Sequence, residues 1–187
     1  MVAIQHALAD RKDDLYETPP EATRALLRVE SLPHWIWEPA AGRCAIVDVL
    51  NDNGHAVIAH DLVDYGDLDA SGRDFLMETK PPYEWVDTIV TNPPYKLAAD
   101  FVRKGLEICP KVIMLLRLTF LESEGRSDIL DCGKLSRVHV FSNRLPMMHR
   151  DSWSGPRSTN TVCFAWFVWE RDHQGPATID RISWTKD

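Results

Sequence analysis

The amino-acid sequence predicts an α/β fold: a mostly parallel sheet with helices on both faces and one antiparallel strand near the C-terminus. Apolar, strand-like runs alternate with segments of helical spacing along most of the chain, which is typical of parallel strands joined by crossover helices. Near the end, two strong strands, "SRVHVFS" and "NTVCFAWFVWE", follow each other without a helix between them. Such a pair is best arranged antiparallel. We therefore expect seven strands, one of them reversed.

The elements are assigned from local patterns in chain order. "YETPPEATRALLRVES" predicts a helix, because Thr18 is a capping residue, Pro19 fits the first turn and Glu21 stands at the position of a capping box. The other predicted strands are "HWIWEP", "HAVIAHD", "VDTIVT", "KVIMLLR" and a small edge strand, "TIDRISW". The other predicted helices are "GRCAIVDVLNDNG", "KLAADFVRKGLEICP" and, with an irregular start, "FLESEGRSDILDCG". "CFAWFVW" is continuously apolar, which favours a central buried strand over an aromatic stacking platform.

Length and composition are those of one globular domain, which we expect to span residues 1–187. The chain is 44% hydrophobic and 26% charged, and no apolar stretch reaches transmembrane length. The N-terminus lacks the apolar core of a signal peptide. The four cysteines, Cys44, Cys109, Cys132 and Cys163, show no CxxC spacing, which favours buried thiols in a reducing cytoplasm over zinc or disulfides. The histidines show no metal-ligand spacing either, so we expect a cytoplasmic protein without a metal site.

The charge is unevenly distributed. A net charge of −7 argues against a protein that coats nucleic acid unspecifically. Between residues 137 and 157 the balance reverses, because one carboxylate, Asp151, faces six basic or titratable residues: Arg137, His139, Arg144, His149, Arg150 and Arg157. This pattern indicates one basic working edge on an acidic body, with a solvated loop as the alternative interpretation.

Several residues suited to ligand binding follow predicted strands. The first strand ends in "EPAAG", where small residues and Gly42 allow a ligand to approach backbone amides and Glu38 can accept hydrogen bonds. Asp61 ends the second strand and is the right type to hold a ribose diol, while Asp74 and Phe75 could contact an adenine. In open α/β sheets, ligands bind beyond the carboxyl ends of the strands. Together these residues predict a nucleotide-like site.

The stretch "VDTIVTNPPY" ends a strand in an amide, two prolines and a tyrosine. Proline fixes its own φ and makes the preceding residue extended, so "NPP" forms a stiff loop that presents the Asn92 amide and the Pro93 carbonyl together. Both are acceptors, which suits an amine with two hydrogens to donate. Tyr95 offers a flat face for a planar group, worth about 1–3 kcal/mol per stacked base. The loop predicts a site for a planar amine.

"NPPY" after a strand, preceded by "EPAAG", resembles the class I S-adenosylmethionine (SAM)-dependent amino-methyltransferases, particularly adenine-N6 enzymes acting on DNA. The order "TPP", "EPAAG", "NPPY" is similar to their gamma arrangement, and the resemblance covers residues 16 to about 170. It implies a Rossmann-like class I methyltransferase fold. It also implies direct in-line transfer of a methyl group from SAM to an exocyclic amine, in a small enzyme of the kind that phages or prophages carry.

The resemblance also implies roles for matching residues. The cofactor would be bound by Tyr16, Thr18 and Pro19 at its methionine part, by Glu38, Ala40 and Gly42 in the first loop, by Asp61 at the ribose and by Asp74 and Phe75 at the adenine. The target amine would be held by Asn92, Pro93 and Tyr95, with Pro94 completing the loop. One residue departs from the pattern: the family often has a second glycine where this chain has Cys44, which leaves the affinity for SAM open.

We expect no separate target-recognition domain after the last strong strand, so a loop is the candidate for substrate recognition. The segment 143–159 combines Arg144, His149, Arg150 and Arg157 for phosphates with Met147, Met148 and Trp153 for apolar or stacking contacts. Loops of this length inside compact domains are usually functional or disordered. We expect a nucleic-acid substrate, with DNA favoured over RNA. A homodimer would extend the footprint of so short a chain.

Three other functions fit parts of the pattern. RNA adenine methyltransferases also use "NPPY", whereas cytosine-N4 enzymes more often have Ser, Thr or Asp at the position of Asn92. Protein glutamine methyltransferases use "NPPY" too, but usually with an N-terminal helical domain and a glycine-richer first loop. A non-catalytic SAM-fold subunit would not need Asn92, Tyr95, Asp61 and Asp74 together.

Overall fold

The computed structural model describes residues 17–147 and 162–185. Within these ranges the helices are α1 (Pro20–Leu27), α2 (Ala45–Asp52), α3 (Ala98–Ile108) and α4 (Ser127–Leu130). The strands are β1 (Trp35–Glu38), β2 (Ala56–Ala59), β3 (Thr88–Thr91), β4 (Lys111–Arg117), β5 (Leu135–Phe141), β6 (Phe164–Glu170) and β7 (Thr178–Ile182). Short 3-10 helices occupy Phe75–Met77, Tyr95–Leu97, Leu118–Glu122 and Glu124–Arg126. None of the helices in these two ranges is long and apolar enough to cross a membrane.

All seven strands form one sheet in the order β2-β1-β3-β4-β6-β5-β7. Strand β6 runs antiparallel to both neighbours, β4 and β5, while the remaining neighbouring strands pair in parallel. This confirms the predicted mostly parallel sheet with one reversed strand near the C-terminus. The carboxyl ends of β1, β2, β3 and β4 consequently lie at the same edge of the sheet.

Helices cover both faces, as predicted. Helix α3 packs on one face through Phe101 and Val102, and α1 and α2 pack on the other through Leu26 and Leu50. Because both faces of the sheet are covered, central strands must be apolar on both sides. All residues of β6 except Glu170 are buried, which confirms its interpretation as a core strand.

Two tryptophans of β6 hold helices on opposite faces. The indole Nε1 of Trp166 donates to the carbonyl oxygen of Ala22 in α1 at 2.9 Å, and that of Trp169 donates to the carbonyl oxygen of Ile129 in α4 at 2.8 Å. Both side chains are fully buried. Removing either ring would cost about 3–5 kcal/mol of stability. A single strand therefore fixes the helices of both layers.

Two helix predictions need correction. Helix α1 begins one residue later than expected, with Pro19 at the N-cap and no side-chain cap, so Thr18 does not cap it. The segment predicted as the helix "FLESEGRSDILDCG" forms two 3-10 turns and only the four-residue α4. Gly125 lies in its middle, and glycine inside a helix costs about 1 kcal/mol relative to alanine, which disfavours a continuous helix.

The predicted basic edge is wrong for Arg137 and His139. Both lie in β5 and bind the buried carboxylate of Glu30, with His139 Nε2 2.8 Å and Arg137 Nη2 3.1 Å from its oxygens. Lys111, the first residue of β4, also donates to Glu30 at 3.0 Å. Burial alone would raise the pKa of Glu30, but these hydrogen bonds outweigh it and lower the pKa to about 2. This ionic cluster lies at the amino end of β4, away from the edge where ligands bind.

Candidate cofactor and substrate site

A cavity of about 460 Å³ opens at the carboxyl ends of β1, β2 and β3. Its size is within the range of roughly 300–1,000 Å³ that is usual for small-molecule sites. The predicted residues in its wall are Thr18, Glu38, Ala40, Gly42, Asp61, Asp74, Phe75, Asn92 and Pro94. Most of the residues proposed from the sequence for one ligand therefore share one cavity.

The loop after β1 is fastened to the end of β2. The amide of Ala41 donates to the carbonyl oxygen of His60 at 3.0 Å, and the amide of Gly42 donates to Asp61 Oδ2 at 2.8 Å. Gly42 has a φ of 53°, a left-handed conformation that glycine adopts without steric cost. The "EPAAG" loop and Asp61, both predicted to bind the cofactor, are thus held together by hydrogen bonds within the protein.

Cys44 also has a left-handed backbone, with a φ of 66°. This conformation costs a side-chain-bearing residue roughly 1–2 kcal/mol and explains why a glycine suits the position. The side chain is 6% exposed, and its Sγ lies 3.5 Å from the carbonyl oxygen of Asp67. Burial, together with nearby carboxylates such as Asp48, raises the pKa of its thiol. The chain therefore holds a cysteine where glycine would be unstrained, and the thiol packs against the segment that contains Asp67.

Glu38 is the buried acid of the cavity. It is 1% exposed, and its Oε1 accepts only a long hydrogen bond, 3.4 Å, from the amide of Ala40. The pKa of Glu38 is raised to about 8, with burial as the largest cause; the Thr91 hydroxyl and the Ala40 amide lower the pKa, and the charge of Asp61 raises it. The carboxyl is therefore largely protonated at neutral pH. A cation entering the cavity would favour its ionised form.

The carboxylates of Asp61 and Asp74 accept hydrogen bonds from backbone amides, Asp61 through both oxygens and Asp74 through one. Asp61 accepts from the amides of Gly42 and Val63, at 2.8 and 2.9 Å, and Asp74 accepts from the amide of Leu76 at 3.0 Å. Each carboxylate oxygen has two acceptor positions, so the groups retain capacity for hydroxyl or amine donors. Their orientation toward the cavity is set by the loops that they organise.

The Phe75 ring is more deeply placed than the sequence suggested. It is 2% exposed and packs against Trp37 and Phe101, at centroid distances of 5.3 and 4.8 Å. The ring is thus a wall of the cavity that is held rigid by the core. A broad face for stacking an adenine is not exposed.

Asn92 is the first residue after β3, and its Nδ2 donates to Thr18 Oγ1 at 3.0 Å. Thr18 is 4% exposed and, like Asn92, lines the cavity. The bond directs the amino end of the amide toward Thr18 and holds the carbonyl end, the acceptor, on the other side. Pro93 is buried and Pro94 is extended, with φ −53° and ψ 122°, before the 3-10 turn Tyr95–Leu97 begins. Pro94 thus separates β3 from the following turn by an extended residue.

Tyr95 differs from its predicted arrangement. Its ring lies beside the cavity wall, the guanidinium carbon of Arg117 is 4.5 Å from its centroid, and the ring of Phe164 is 5.9 Å away. One face of Tyr95 is therefore covered by a cation. Sequence reasoning missed Arg117, although a charged residue ending the buried run "KVIMLLR" was an available signal. It also missed other residues that line the cavity: Arg43, Tyr65, Arg73 and Lys96.

The predicted recognition loop is described up to residue 147. Arg144 is exposed, its side chain contacts the Sγ of Cys163, and its carbonyl oxygen accepts from Trp184 Nε1 at 3.1 Å. Met147 is 2% exposed and belongs to the core, so its predicted contact with substrate is wrong. The other predicted residues, Tyr16, Met148, His149, Arg150, Trp153 and Arg157, lie outside the described residues. Residues 17–147 and 162–185 contain no group of three His, Cys, Asp or Glu side chains arranged for a metal ion.

Comparison with solved structures identifies the fold. A class I SAM-dependent methyltransferase assigned in Listeria monocytogenes superposes with a TM-score of 0.64 at 12% identity, over 94% of this chain and 68% of that one. A type I restriction-modification methyltransferase subunit from Streptococcus thermophilus superposes with a TM-score of 0.57 at 13% identity, over 86% of this chain and 46% of that one. The 23S rRNA methyltransferase ErmE superposes with a TM-score of 0.56 at 14% identity, over 86% of this chain and 71% of that one. The chain has the Rossmann-like class I methyltransferase fold.

In sequence, no protein-family model matches this chain, and no curated protein matches it either. At identities of 12–14% the structural likeness defines the fold alone. An activity depends on the residues of the cavity, which the fold alone does not specify.

Proposed function

We propose that this protein is a SAM-dependent methyltransferase that acts on the N6 amine of adenine in nucleic acid, with DNA as the favoured substrate. The observation that carries the proposal is the Asn92 amide, held by Thr18 in the wall of a cavity that Glu38, Gly42 and Asp61 also line. An acceptor for an amine and a set of groups suited to a nucleoside thus share one site.

The cavity fits SAM in the type and placement of its groups. Glu38 is a buried carboxyl without a hydrogen bond of good geometry at Oε2 in the described residues, and an ammonium group would supply that partner. Asp61 would accept from the ribose hydroxyls, and Asp74 from the adenine amine beside the Phe75 ring. Gly42 allows the ligand to approach the backbone. Pro19 would shape the loop at the methionine end. When bound, SAM supplies an electrophilic methyl group.

The substrate end is formed by the loop after β3. The Asn92 carbonyl and the Pro93 carbonyl would each accept one hydrogen of the amine, which turns its lone pair away from both acceptors and toward the cavity. During transfer the nitrogen would form a bond to the methyl carbon as the bond from that carbon to the sulfonium sulfur breaks, the electron pair would stay on the departing thioether, and the amine would release one proton to solvent. The residues contribute positioning and electrostatics, without a covalent bond to the protein. A base within a duplex must first be flipped out of the stack.

Nucleic acid as the substrate is supported by Arg144, which is exposed and contacts Cys163, the residue before the Phe164 that packs on Tyr95, and by the basic residues that follow Arg144 in the sequence. Two proteins of the same fold are named as a methyltransferase subunit of a type I restriction-modification system and as a 23S rRNA methyltransferase. RNA is therefore the second candidate substrate, through the same Asn92 amide. The chain spans 46% of the length of the restriction-modification subunit that it matches.

Nucleoside mass spectrometry tests the proposal. The protein would be incubated with SAM and, separately, with duplex DNA, single-stranded DNA and total RNA. We expect N6-methyladenine in one of these pools, and none with Asn92→Ala, which should still bind SAM in calorimetry.

Asn53→Ala provides the matched control. Asn53 follows α2, is exposed, and donates to the Val49 carbonyl at 2.8 Å, away from the cavity, so this variant should retain activity. Normal turnover by Asn92→Ala, or no methylated nucleoside in any pool with the wild-type protein, would contradict the proposal.

A further inference from the structure

Arg117 is a cation at the edge of the candidate site to which the proposed reaction gives no role. It is the last residue of β4, its side chain is exposed, and its guanidinium carbon lies 4.5 Å above the centre of the Tyr95 ring. Because β4 is the parallel neighbour of β3, both strands end at the edge where the cavity opens. The guanidinium thus caps the aromatic residue of the NPPY loop.

Backbone contacts hold Arg117 in this position. It pairs in register with Phe164 at the start of β6, and the amide of the next residue, Leu118, donates to the carbonyl oxygen of Cys163 at 2.8 Å. Phe164 also contacts the Tyr95 ring, with centroids 5.9 Å apart. The ring is therefore bracketed by a cation and an aromatic side chain that come from two paired strands.

The arginines among the described residues have different kinds of partner. Arg73, Arg103 and Arg137 are bound to the carboxylates of Glu78, Asp128 and Glu30, whereas Arg126 lies over the ring of Phe120. Within residues 17–147 and 162–185, Arg117 has no carboxylate at ion-pair distance. With a net charge of −7, acidic partners are plentiful elsewhere on the chain. A planar cation without an acidic partner is well suited to bind an anion that comes from outside the chain.

We propose that Arg117 is a positioning residue for the target nucleotide. When a base stacks on the Tyr95 ring, the Arg117 guanidinium leaves that ring and binds a phosphate of the nucleic acid. This inference rests on the proposed function. A guanidinium and a nucleobase are both planar and both stack on aromatic rings, so they compete for the same face. A charge-assisted, bidentate contact with phosphate is stronger than an exposed cation–aromatic contact, so the exchange is favourable. Arg117 would thus keep the ring covered until a nucleotide arrives and would then bind its backbone.

The test measures the salt dependence of binding to short mixed-sequence duplex DNA between about 50 and 200 mM salt. Loss of one phosphate contact lowers the slope of log K against log salt by about 0.9. We expect this change for Arg117→Ala, together with a higher KM for nucleic acid. Arg117→Lys keeps the positive charge, so it should retain the slope. A solely structural role would alter stability but would not produce this pattern.

Arg181→Ala is the matched control. Arg181 is exposed on β7, at the far edge of the sheet, so its replacement by alanine removes the same charge far from the cavity. An Arg117→Ala slope equal to that of the wild type, or an equal loss in Arg181→Ala, would overturn the inference. If the wild-type protein methylates nucleic acid while Arg117→Ala behaves normally, the proposed function stands and this inference fails. If the wild type methylates no nucleic acid, the proposed function fails, and this inference fails with it.

Discussion

The hydroxyl of Thr18 accepts a hydrogen bond from the amide of Asn92 at 3.0 Å, across 74 residues of sequence. The first residue comes from the segment before α1 and the second from the end of β3. This contact brings the "TPP" and "NPPY" elements together and sets the orientation of the amide that is proposed to bind the substrate. Its removal should therefore affect turnover before it affects the fold.

Thr18→Val replaces the hydroxyl by a methyl group of similar size and leaves the Asn92 amide without this support. We expect kcat to fall roughly ten- to a hundredfold, because small displacements of a positioning group have effects of this size. SAM affinity should change much less, because the Thr18 hydroxyl is already bound to Asn92 and valine keeps the volume of the side chain in the cavity wall. Single-turnover kinetics and calorimetry measure the two quantities. Thr18→Ser keeps the hydroxyl and should retain most of the activity; an equal loss in both variants would disprove the role of the hydrogen bond.

The buried carboxyl of Glu38 should make stability depend on pH. Its pKa rises from 4.5 in the unfolded chain to about 8 in the folded protein, so the folded state binds more protons between these values. Stability should thus be highest below about pH 4.5 as far as this group is concerned, and should fall by roughly 1.4 kcal/mol per pH unit as pH rises toward 8. Glu38→Gln lacks this dependence. Urea unfolding of both proteins at pH 6 and about 8, without cofactor, should show a growing advantage of the Gln variant; parallel curves would contradict the assignment.

The same carboxyl should make SAM binding depend on pH. A bound ammonium favours the ionised carboxylate, so the affinity of the wild type should increase by up to about tenfold per unit as pH rises toward 8. Glu38→Gln should bind more weakly, without this component. Because titration of the ligand's own amine affects both proteins, the difference between their calorimetric profiles isolates Glu38. A constant difference across pH would show that Glu38 does not ionise on binding.

Cys44 lies in a conformation that glycine adopts more readily. Cys44→Gly removes the strain of the left-handed backbone but increases the entropy of the unfolded chain, so we expect a net change in stability of up to about 1 kcal/mol in favour of the variant. Cys44→Val places a β-branched side chain there and should destabilise by about 2 kcal/mol or more. Chemical denaturation compares the three proteins. Equal stability of the Gly and Val variants would mean that the backbone strain is negligible.

The ionic cluster around Glu30 should be important for stability. Glu30→Gln removes one of two carboxylate partners of Arg137 and Lys111, since both keep Glu170, and should cost about 3 kcal/mol at neutral pH, the amount that the lowered pKa of Glu30 corresponds to. Since the pKa of Glu30 is lowered to about 2, its contribution is present above about pH 4.5 and is lost as pH falls toward 2. Glu107→Gln is the control. Glu107 is exposed, so the loss of its ion pair with Lys104 should lower the free energy of unfolding by no more than about 0.5 kcal/mol. Similar losses in both variants would refute this account.

Elements with strong local patterns were predictable from the sequence. The strands and the reversed position of β6 follow from apolar runs and from the missing helix between the last two strong strands. The predictions failed where a tertiary contact overrode a local preference. Thr18 matches a helix cap, yet its hydroxyl serves Asn92, and Arg137 matches a basic surface, yet it neutralises Glu30. The partners in both cases are distant in sequence, so no local pattern could indicate them.

The candidate site shows the same division. The grouping of Glu38, Asp61 and Asn92 follows from the rule that strands of a parallel sheet end at one edge. The directions of individual rings do not follow from this rule. Phe75 faces the core, and Tyr95 stacks under Arg117, because the surrounding packing decides which face of each ring is exposed. Residue types and spacing indicate where a site lies, while the neighbours decide what each side chain presents.

The position of β6 has a consequence for how the chain is assembled during synthesis. Strands β4 and β5 leave the ribosome before β6, yet β6 separates them in the finished sheet, so both have unpaired apolar edges until residue 170 has been made. The same strand supplies Trp166, which donates to the carbonyl of Ala22 in α1, the helix that follows Thr18. The helix that follows Thr18 therefore cannot be anchored when it is synthesised, because its partner Trp166 is made 144 residues after Ala22. Stalled chains that end before Phe164 should be prone to aggregation, whereas completion of one late strand closes the sheet and anchors the N-terminal helix in the same step.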